Sequence, residues 1–181
     1  MTGNIFTRDM AVSAVRMSQD GSVNIPSEFT TIAAYAFSCC DTVTSITMSD
    51  NVTVIGKHAF NSCRSLENIY ISKNVTFIGQ GAFGGCFNLT KITLPQNIGS
   101  IEKELFYYCK NLEKVFIPEG TYSIEARAFA RCDSLKELNI PESIISIGSE
   151  AFPGQLELKV SQPKAEKLLS VLLAIKVKID K

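Results

Sequence analysis

The sequence has no excess of charge of either sign: eighteen basic residues stand against eighteen acidic ones. Nucleic-acid tracks and anionic membrane surfaces are met by net or clustered basic charge, so the balance supports neither partner. Histidine is nearly missing; His58 is the only one in 181 residues. Any His-based catalytic triad would have to be built on that one residue. No G-x-S-x-G, P-loop or H-E-x-x-H motif is present, and enzymatic activity, a catalytic residue, a cofactor and a bound metal are not expected. Long apolar runs are absent too. Met1 to Gly21 mixes Arg8, Asp9, Arg16 and Asp20 among short apolar stretches, unlike the apolar segment of a signal peptide. The most apolar stretch, Leu168 to Ile175, is about half the length needed to span a bilayer. Membrane insertion is not expected, and an export signal would have to be one already removed or one of unusual form.

Hydrophobic residues make up 45% and charged residues 20% of the chain, which fits one ordinary globular domain rather than a disordered or fibrous chain. Within it a period dominates. Phe37, Phe60, Phe83, Phe106, Phe129 and Phe152 lie 23 residues apart. Ile32, Ile55, Ile78, Ile101, Ile124 and Ile147 keep the same interval, as do Cys40, Cys63, Cys86, Cys109 and Cys132. No insertion disturbs the register between Ile32 and Phe152. A fixed period of this size marks a solenoid, in which each unit buries its apolar face against the next.

One unit runs Ile55-Gly56-x-x-Ala59-Phe60-x-x-Cys63-x-x-Leu66-x-x-Ile69-x-Ile71, then Val75. Its Leu66-x-x-Ile69-x-Ile71 segment is an L-x-x-L-x-L core. Alternation through Ile69 and Ile71 predicts a short strand with both side chains inward. The strand recurs at Ile46–Met48, Ile92–Leu94, Val115–Ile117 and Leu138–Ile140, and Val23–Ile25 falls in register as a half-repeat. Pro26, Pro95, Pro118 and Pro141 end strands by removing a donor. Stacked strands form a parallel sheet with a spacing of about 4.8 Å. The domain organisation expected is an N-terminal cap over 1–21, repeats over 22–152 and a C-terminal strand-helix-strand cap over 153–181. In the last segment Leu156, Leu158 and Val160 alternate, Pro163 opens a helix striped by Ala165, Leu168, Leu169 and Leu172, and Ile175, Val177 and Ile179 close it. Met10 to Met17 is apolar enough to cover the first repeat, without a choice between helix and strand.

The string I-G-x-x-A-F-x-x-C-x-x-L-x-x-I-x-I-P resembles the BspA-like, or Treponema pallidum-type, leucine-rich repeats over residues 22–152. The resemblance implies a curved, right-handed leucine-rich-repeat solenoid with its main parallel sheet on the concave side and short extended segments, such as Val52-x-x-Ile55, opposite. It also implies surface proteins of bacteria and mucosal parasites, several of them adhesins. This chain departs from the pattern mildly: Leu105 replaces Ala, Thr121 replaces Val, and Glu102 and Glu125 replace Gly.

The cysteines form no C-x-x-C or C-x-x-H pair. Stacked thiols about 4.8 Å apart point the same way, whereas a disulfide needs Cβ atoms about 3.5–4.5 Å apart and facing each other. They read as buried small hydrophobes, with Cys39, which has no repeat counterpart, the more reactive. His58 falls at a variable position, equivalent to Tyr35, Gly81, Glu104, Arg127 and Glu150, and reads as a surface residue. Asn51, Asn74 and Asn88 head N-x-T sequons, which matter only in a eukaryotic secretory route. The informative positions lie between the inward residues of the strands: Thr47, Tyr70, Thr93, Phe116 and Asn139, flanked by Ser45, Asn68, Lys91, Lys114 and Glu137. They vary while the interior does not. Tyr70 and Phe116, two repeats apart, should sit about 10 Å from each other across the sheet as anchors for a protein or glycoprotein. Lys91 and Lys114 make a basic spot that Glu137 ends, too small to track nucleic acid. The alternative is an intracellular scaffold component of a larger assembly, such as a cytoskeletal complex. Family resemblance favours the cell surface; free cysteines and the lack of a visible signal favour the cytoplasm.

Overall fold

The computed structural model describes residues 4–154, 156, 159–160 and 178–179. The chain opens with β1 (Asn4–Phe6) and α1 (Arg8–Met17), then alternates two kinds of short strand. The first pair is β2 (Ser22–Ile25) and β3 (Phe29–Ile32), followed by β4 (Ser45–Met48) and β5 (Val54–Ile55), then β6 (Asn68–Tyr70) and β7 (Phe77–Ile78). Next come β8 (Lys91–Thr93) and β9 (Ser100–Ile101), β10 (Lys114–Phe116) and β11 (Ser123–Ile124), and β12 (Glu137–Leu138) and β13 (Ser146–Ile147). The chain ends with β14 (Lys159–Val160) and β15 (Lys178–Ile179), which pair in parallel. The helix expected between β14 and β15 lies outside the described residues.

Every ladder is parallel, and from β2 to β13 its register is the repeat. In the ladder of longer strands Val23 faces Ile46, Ile46 faces Ile69, and Val115 lies between Ile92 and Leu138. In the second ladder Ile32, Ile55 and Ile78 are partners, as are Ile101, Ile124 and Ile147. Residues 23 apart therefore stack, turn upon turn, into a parallel-strand solenoid.

Between the two ladders runs a column of phenylalanines. Rings from Phe37 to Phe152 succeed each other at 5.3 to 6.1 Å, with planes within 20° of parallel. Phe37, Phe60, Phe83, Phe106 and Phe129 are wholly buried, and each such ring contributes a large apolar area plus a favourable stacking contact. Beside them Cys63, Cys86, Cys109 and Cys132 donate Sγ–H to the carbonyls of Phe37, Phe60, Phe83 and Phe106 at 3.0 to 3.2 Å. The cysteines thus do more than fill space, since each hydrogen-bonds the turn before it. Thr121, standing where other units have an apolar residue, is also buried and donates its hydroxyl to the Ile98 carbonyl at 3.1 Å. That bond offsets the cost of burying a hydroxyl.

The arc after each second-ladder strand carries the backbone through the left-handed region twice. Tyr35, His58, Gly81, Glu104, Arg127 and Glu150 all have φ between 52° and 61°. Cys39, Ser62, Gly85, Tyr108 and Arg131 repeat this four residues later. Single left-handed residues orient successive amides toward the next turn: Phe37, Phe60, Phe83, Phe106 and Phe129 each donate N–H to the carbonyl of the following turn at 2.7 to 3.0 Å. This third set of rungs is unbroken from Phe37 to Ala151.

On the arc of the first turn the carbonyls of Ala36 and Ser38 receive no amide from another turn, whereas Tyr35 O accepts from Ser38 N at 3.1 Å. Arg8 supplies a donor there. Its Nη1 donates to the carbonyls of Ser38, Tyr35 and Ala36, the last two at 3.3 Å. Phe6 covers Phe37, and β1 pairs with β3. In α1, Ala11, Ala14 and Val15 turn one side to the core, while Asp9 in the first turn and Arg16 in the last suit the helix dipole.

The strand ladders are interrupted once among the described residues, and both at the same level. No pairing joins β6 to β8 or β7 to β9. Elsewhere Glu67 N donates to Thr44 O, Glu113 N to Thr90 O and Lys136 N to Glu113 O, all within 3.0 Å. The corresponding amide of Thr90 makes no such bond to Glu67, nor Gly99 to Thr76, nor Glu102 to Ile78. The interruption falls at the unit whose arc position is Glu102, after Gly56 and Gly79 in the two units before it. A Cβ on Gly79 would lie 2.6 Å from Lys57 N, and one on Gly56 2.5 Å from Ala34 N. In those two units the stacking leaves no room for a Cβ. A side chain at this position does not by itself open the rung, since Ala33 N donates to Phe6 O at 3.0 Å and Glu125 N to Ile101 O at 2.8 Å.

Candidate partner-binding face

The strands fix which side chains point outward. Thr47, Tyr70, Thr93 and Phe116 are exposed, Tyr70 at 52% and Phe116 at 53%. Their inward neighbours Ile46, Met48, Ile92, Leu94, Val115 and Ile117 are buried. Thr47 is in register with Tyr70, and Thr93 with Phe116. In the flanking column Ser45 adjoins Asn68, and Lys91 adjoins Lys114, which in turn faces Glu137. The sheet expected to run unbroken from Tyr70 to Phe116 does not; the missing pairing of β6 with β8 lies between them. A spacing taken from continuous strand stacking therefore does not apply to that pair.

Two of these positions have neighbours the sequence did not reveal. Tyr70 Oη lies 3.5 Å from Asp50 Oδ1, and Asp50 Oδ2 lies 3.4 Å from Lys73 Nζ. Asn139 is half-buried, and its amide is already used: Oδ1 accepts from Ile117 N and Nδ2 donates to Ile117 O, both at 2.8 Å. It mimics a strand residue and closes the edge of β10 where β12 has ended. Glu137 stands on β12.

His58 is half-buried rather than a plain surface residue. Its ring centroid lies 5.2 Å from that of Tyr35, and Nδ1 is 3.3 Å from the Gly81 carbonyl. The left-handed backbone at this position turns the side chain back over the stack. Cys39 is exposed, whereas Cys40, Cys63, Cys86, Cys109 and Cys132 are buried, and none is in a disulfide. Burial pushes the thiols of Cys63 and Cys109 up to about 12, so both stay protonated and inert at neutral pH. Asn51 and Asn74 donate Nδ2–H to the carbonyls of Ser27 and Asp50, at 2.6 and 2.8 Å; these sequon amides hold adjacent turns together. Asn88 is exposed.

A second surface feature escaped the sequence reading. Phe87 and Tyr108 meet edge-on at 5.5 Å, Lys110 Nζ lies 4.8 Å from the Tyr108 ring and Arg64 Cζ lies 5.9 Å from the Phe87 ring. Arg64, Phe87 and Lys110 hold one repeat position, 23 residues apart, but they differ in type, and only Tyr108 stands off that column. Among the described residues no group of His, Cys, Asp and Glu is placed to hold a metal ion, and no helix is long and apolar enough to cross a membrane.

Residues 30–159 match the model of the BspA type leucine rich repeat region in six copies. Among solved structures, the chain is similar to a leucine rich cell surface protein from Faecalibacterium prausnitzii, with 32% identity and a TM-score of 0.65 over 66% of this chain and 32% of that one. A leucine-rich repeat protein from Eubacterium ventriosum is 30% identical, with a TM-score of 0.59 over 74% of this chain and 42% of that one. The T. pallidum leucine rich repeat protein shares the fold at 23% identity and a TM-score of 0.60, over 90% of this chain and 87% of that one. The chain thus spans about a third of the F. prausnitzii protein and under half of the E. ventriosum one. No curated protein matches it.

Proposed function

This chain belongs to the BspA-type leucine-rich repeat family, and on that premise we propose that it is a non-enzymatic module that binds a protein or glycoprotein through the outward row of its longer strands. The observation that carries the reading is the contrast between two columns on the same strands. Inward positions are apolar and, apart from half-buried Ile69 and Ile140, buried; outward positions change from turn to turn and include two half-exposed aromatics, Tyr70 and Phe116. Rigid aromatics on a preformed sheet lose little conformational freedom on association, which makes them effective anchors. The row Thr47, Tyr70, Thr93 and Phe116, with Asn68, Lys91, Lys114 and Glu137 beside it, is the proposed contact surface. A place on the cell surface and an adhesin-like use belong to the same proposal; the F. prausnitzii neighbour is described as a cell surface protein.

The test is a double replacement, Tyr70→Ser with Phe116→Ser, in the full chain. Partner capture should be lost while the thermal unfolding curve is retained; undiminished capture would remove the outward row from the account. A second reading, a scaffold inside the cell, is favoured by six free thiols, which suit a reducing compartment. Labelling intact cells with a membrane-impermeant maleimide separates the two, because exposed Cys39 reacts only in the surface case.

A further inference from the structure

We propose that the interruption between β6 and β8 is a binding cleft for an extended peptide that carries a carboxylate. Both strand ladders lose their rungs at this one level, while the arc rungs Gly81 N to Lys103 O, Phe83 N to Leu105 O and Gly85 N to Tyr107 O remain closed at 2.8 to 3.0 Å. The two halves of the solenoid are therefore bonded at the arc, and by Asn88 N to Arg64 O at 3.2 Å, and unbonded along the strands. The chain that links them passes through Gly79, Gly81, Gly84 and Gly85. Gly81 and Gly85 take up the left-handed conformation that other turns impose on side-chain-bearing residues, so this link bends at the least cost.

Over the facing edges of β6 and β8 lies a cavity of about 620 Å³. Its floor is Ile46, Ile69, Ile71, Ile92 and Leu94. Ile69 is only half-buried, unlike its register partner Ile46 at 1% exposure, because no strand closes over its far side. The rim is polar, and its charged members are Lys73 and Lys91, with no carboxylate in the lining. Lys73 is engaged by Asp50; Lys91 has no ion pair among the described residues.

These features select one chemistry. The facing edges of β6 and β8 offer backbone donors and acceptors without ladder partners, and an extended peptide presents both kinds of group at strand spacing. Alternate side chains of such a peptide would descend on Ile69 and Ile92. A carboxylate would meet Lys91. β6 and β8 still approach within 8 Å at their Cα atoms, so seating a strand about 4.8 Å from each opens the two strands further about their glycine-rich link. The inference rests on the partner-binding reading of this face and specifies what part of a partner it takes.

Hydrogen exchange on the full chain comes first. The amides of Thr90, Gly99 and Glu102 should exchange at least about tenfold faster than those of Glu67, Tyr122 and Glu125, their bonded counterparts. Equal protection would mean closed ladders and no cleft, and would leave the outward-row reading standing. The probe is a capped tetrapeptide of alternating valine and threonine ending in aspartate, titrated by NMR. Saturable shifts at Tyr70 and Thr93, with slowed exchange at Thr90, are expected. Changing the aspartate to asparagine, or Lys91→Gln in the protein, should weaken binding about threefold, and N-methylating the peptide backbone should abolish it. The absence of saturable binding, or equal binding of the N-methylated peptide, overturns the proposal. Loss of peptide binding with partner capture still dependent on Tyr70 and Phe116 would remove the cleft alone.

Discussion

Phe6 stacks on Phe37 with centroids 5.7 Å apart and planes 12° from parallel, although 31 residues rather than 23 separate them in the sequence. The aromatic column thus begins outside the period that builds it. An end ring has one stacking neighbour where an inner ring such as Phe83 has two. Phe83→Ala should cost about 3–5 kcal/mol, and Phe6→Ala less, as read from urea unfolding midpoints. Equal losses would mean that the stack does not behave as a sum of turn-to-turn contacts.

Arg8 should matter more than an exposed arginine usually does. Its guanidinium serves carbonyls of Tyr35, Ala36 and Ser38 that no earlier turn can reach. Arg8→Ala is expected to lower stability by about 1–3 kcal/mol, the range for hydrogen bonds to a charged group. Arg8→Lys should recover part of the loss, since every contact comes from one nitrogen, Nη1, and an ammonium offers three donors on a shorter stem. Chemical denaturation of the three proteins decides it.

Stability should fall on the alkaline side through the buried thiols. In the unfolded chain they titrate near 9, whereas burial holds Cys63 and Cys109 up to about 12. The folded form therefore keeps protons that the unfolded form releases. Their contribution is complete below pH 9 and is lost as the pH rises from there through 12. Melting temperatures between pH 8 and 11 should decline less steeply in Cys109→Ala than in the parent. Parallel declines would remove the thiols from the cause.

Gly56→Glu should copy the interruption into the first half of the stack. A Cβ there would lie 2.5 Å from Ala34 N, so either the rung from Gly56 N to Ile32 O opens or the backbone shifts to keep it, as at Glu125. The expected cost is about 1–3 kcal/mol, as for overpacking elsewhere. Faster amide exchange at Thr53 and at residue 56 would report it. Unchanged protection would show that the backbone can yield without parting.

Asn139→Ala should destabilise the chain by about 1–2 kcal/mol by removing two bonds to Ile117. Thermal melts check the size of the loss. If stability is unchanged, water replaces the amide and Asn139 becomes available for contact.

The periodic part of the fold was plain in the sequence because interior positions tolerate only side chains that fill one turn. Ile32 to Ile147, the phenylalanines and the half-repeat at Val23 and Ile25 all took the places their spacing implied. Other features left no such mark. Left-handed backbone usually advertises itself through glycine, yet Tyr35, His58, Glu104, Arg127 and Glu150 adopt it with unrelated side chains. Phe6 and Arg8 serve the stack from outside its period. The missing pairing was invisible because Asn68-Ile69-Tyr70 and Lys91-Ile92-Thr93 have the same apolar pattern as strands that pair. For the candidate face, the outward row was legible from alternation alone; the engagement of Asn139 and the floor beneath Lys91 required coordinates.

The covering of the first turn bears on how large an assembly of such chains becomes. A column of equivalent turns contains nothing that limits its own length, since a bare first turn offers a foreign last turn the same seat it would offer its own predecessor. With β1 on β3, Phe6 on Phe37 and Arg8 on the arc carbonyls, that seat is taken. Another turn docking head-to-tail at this end would have to displace β1, Phe6 and Arg8 first.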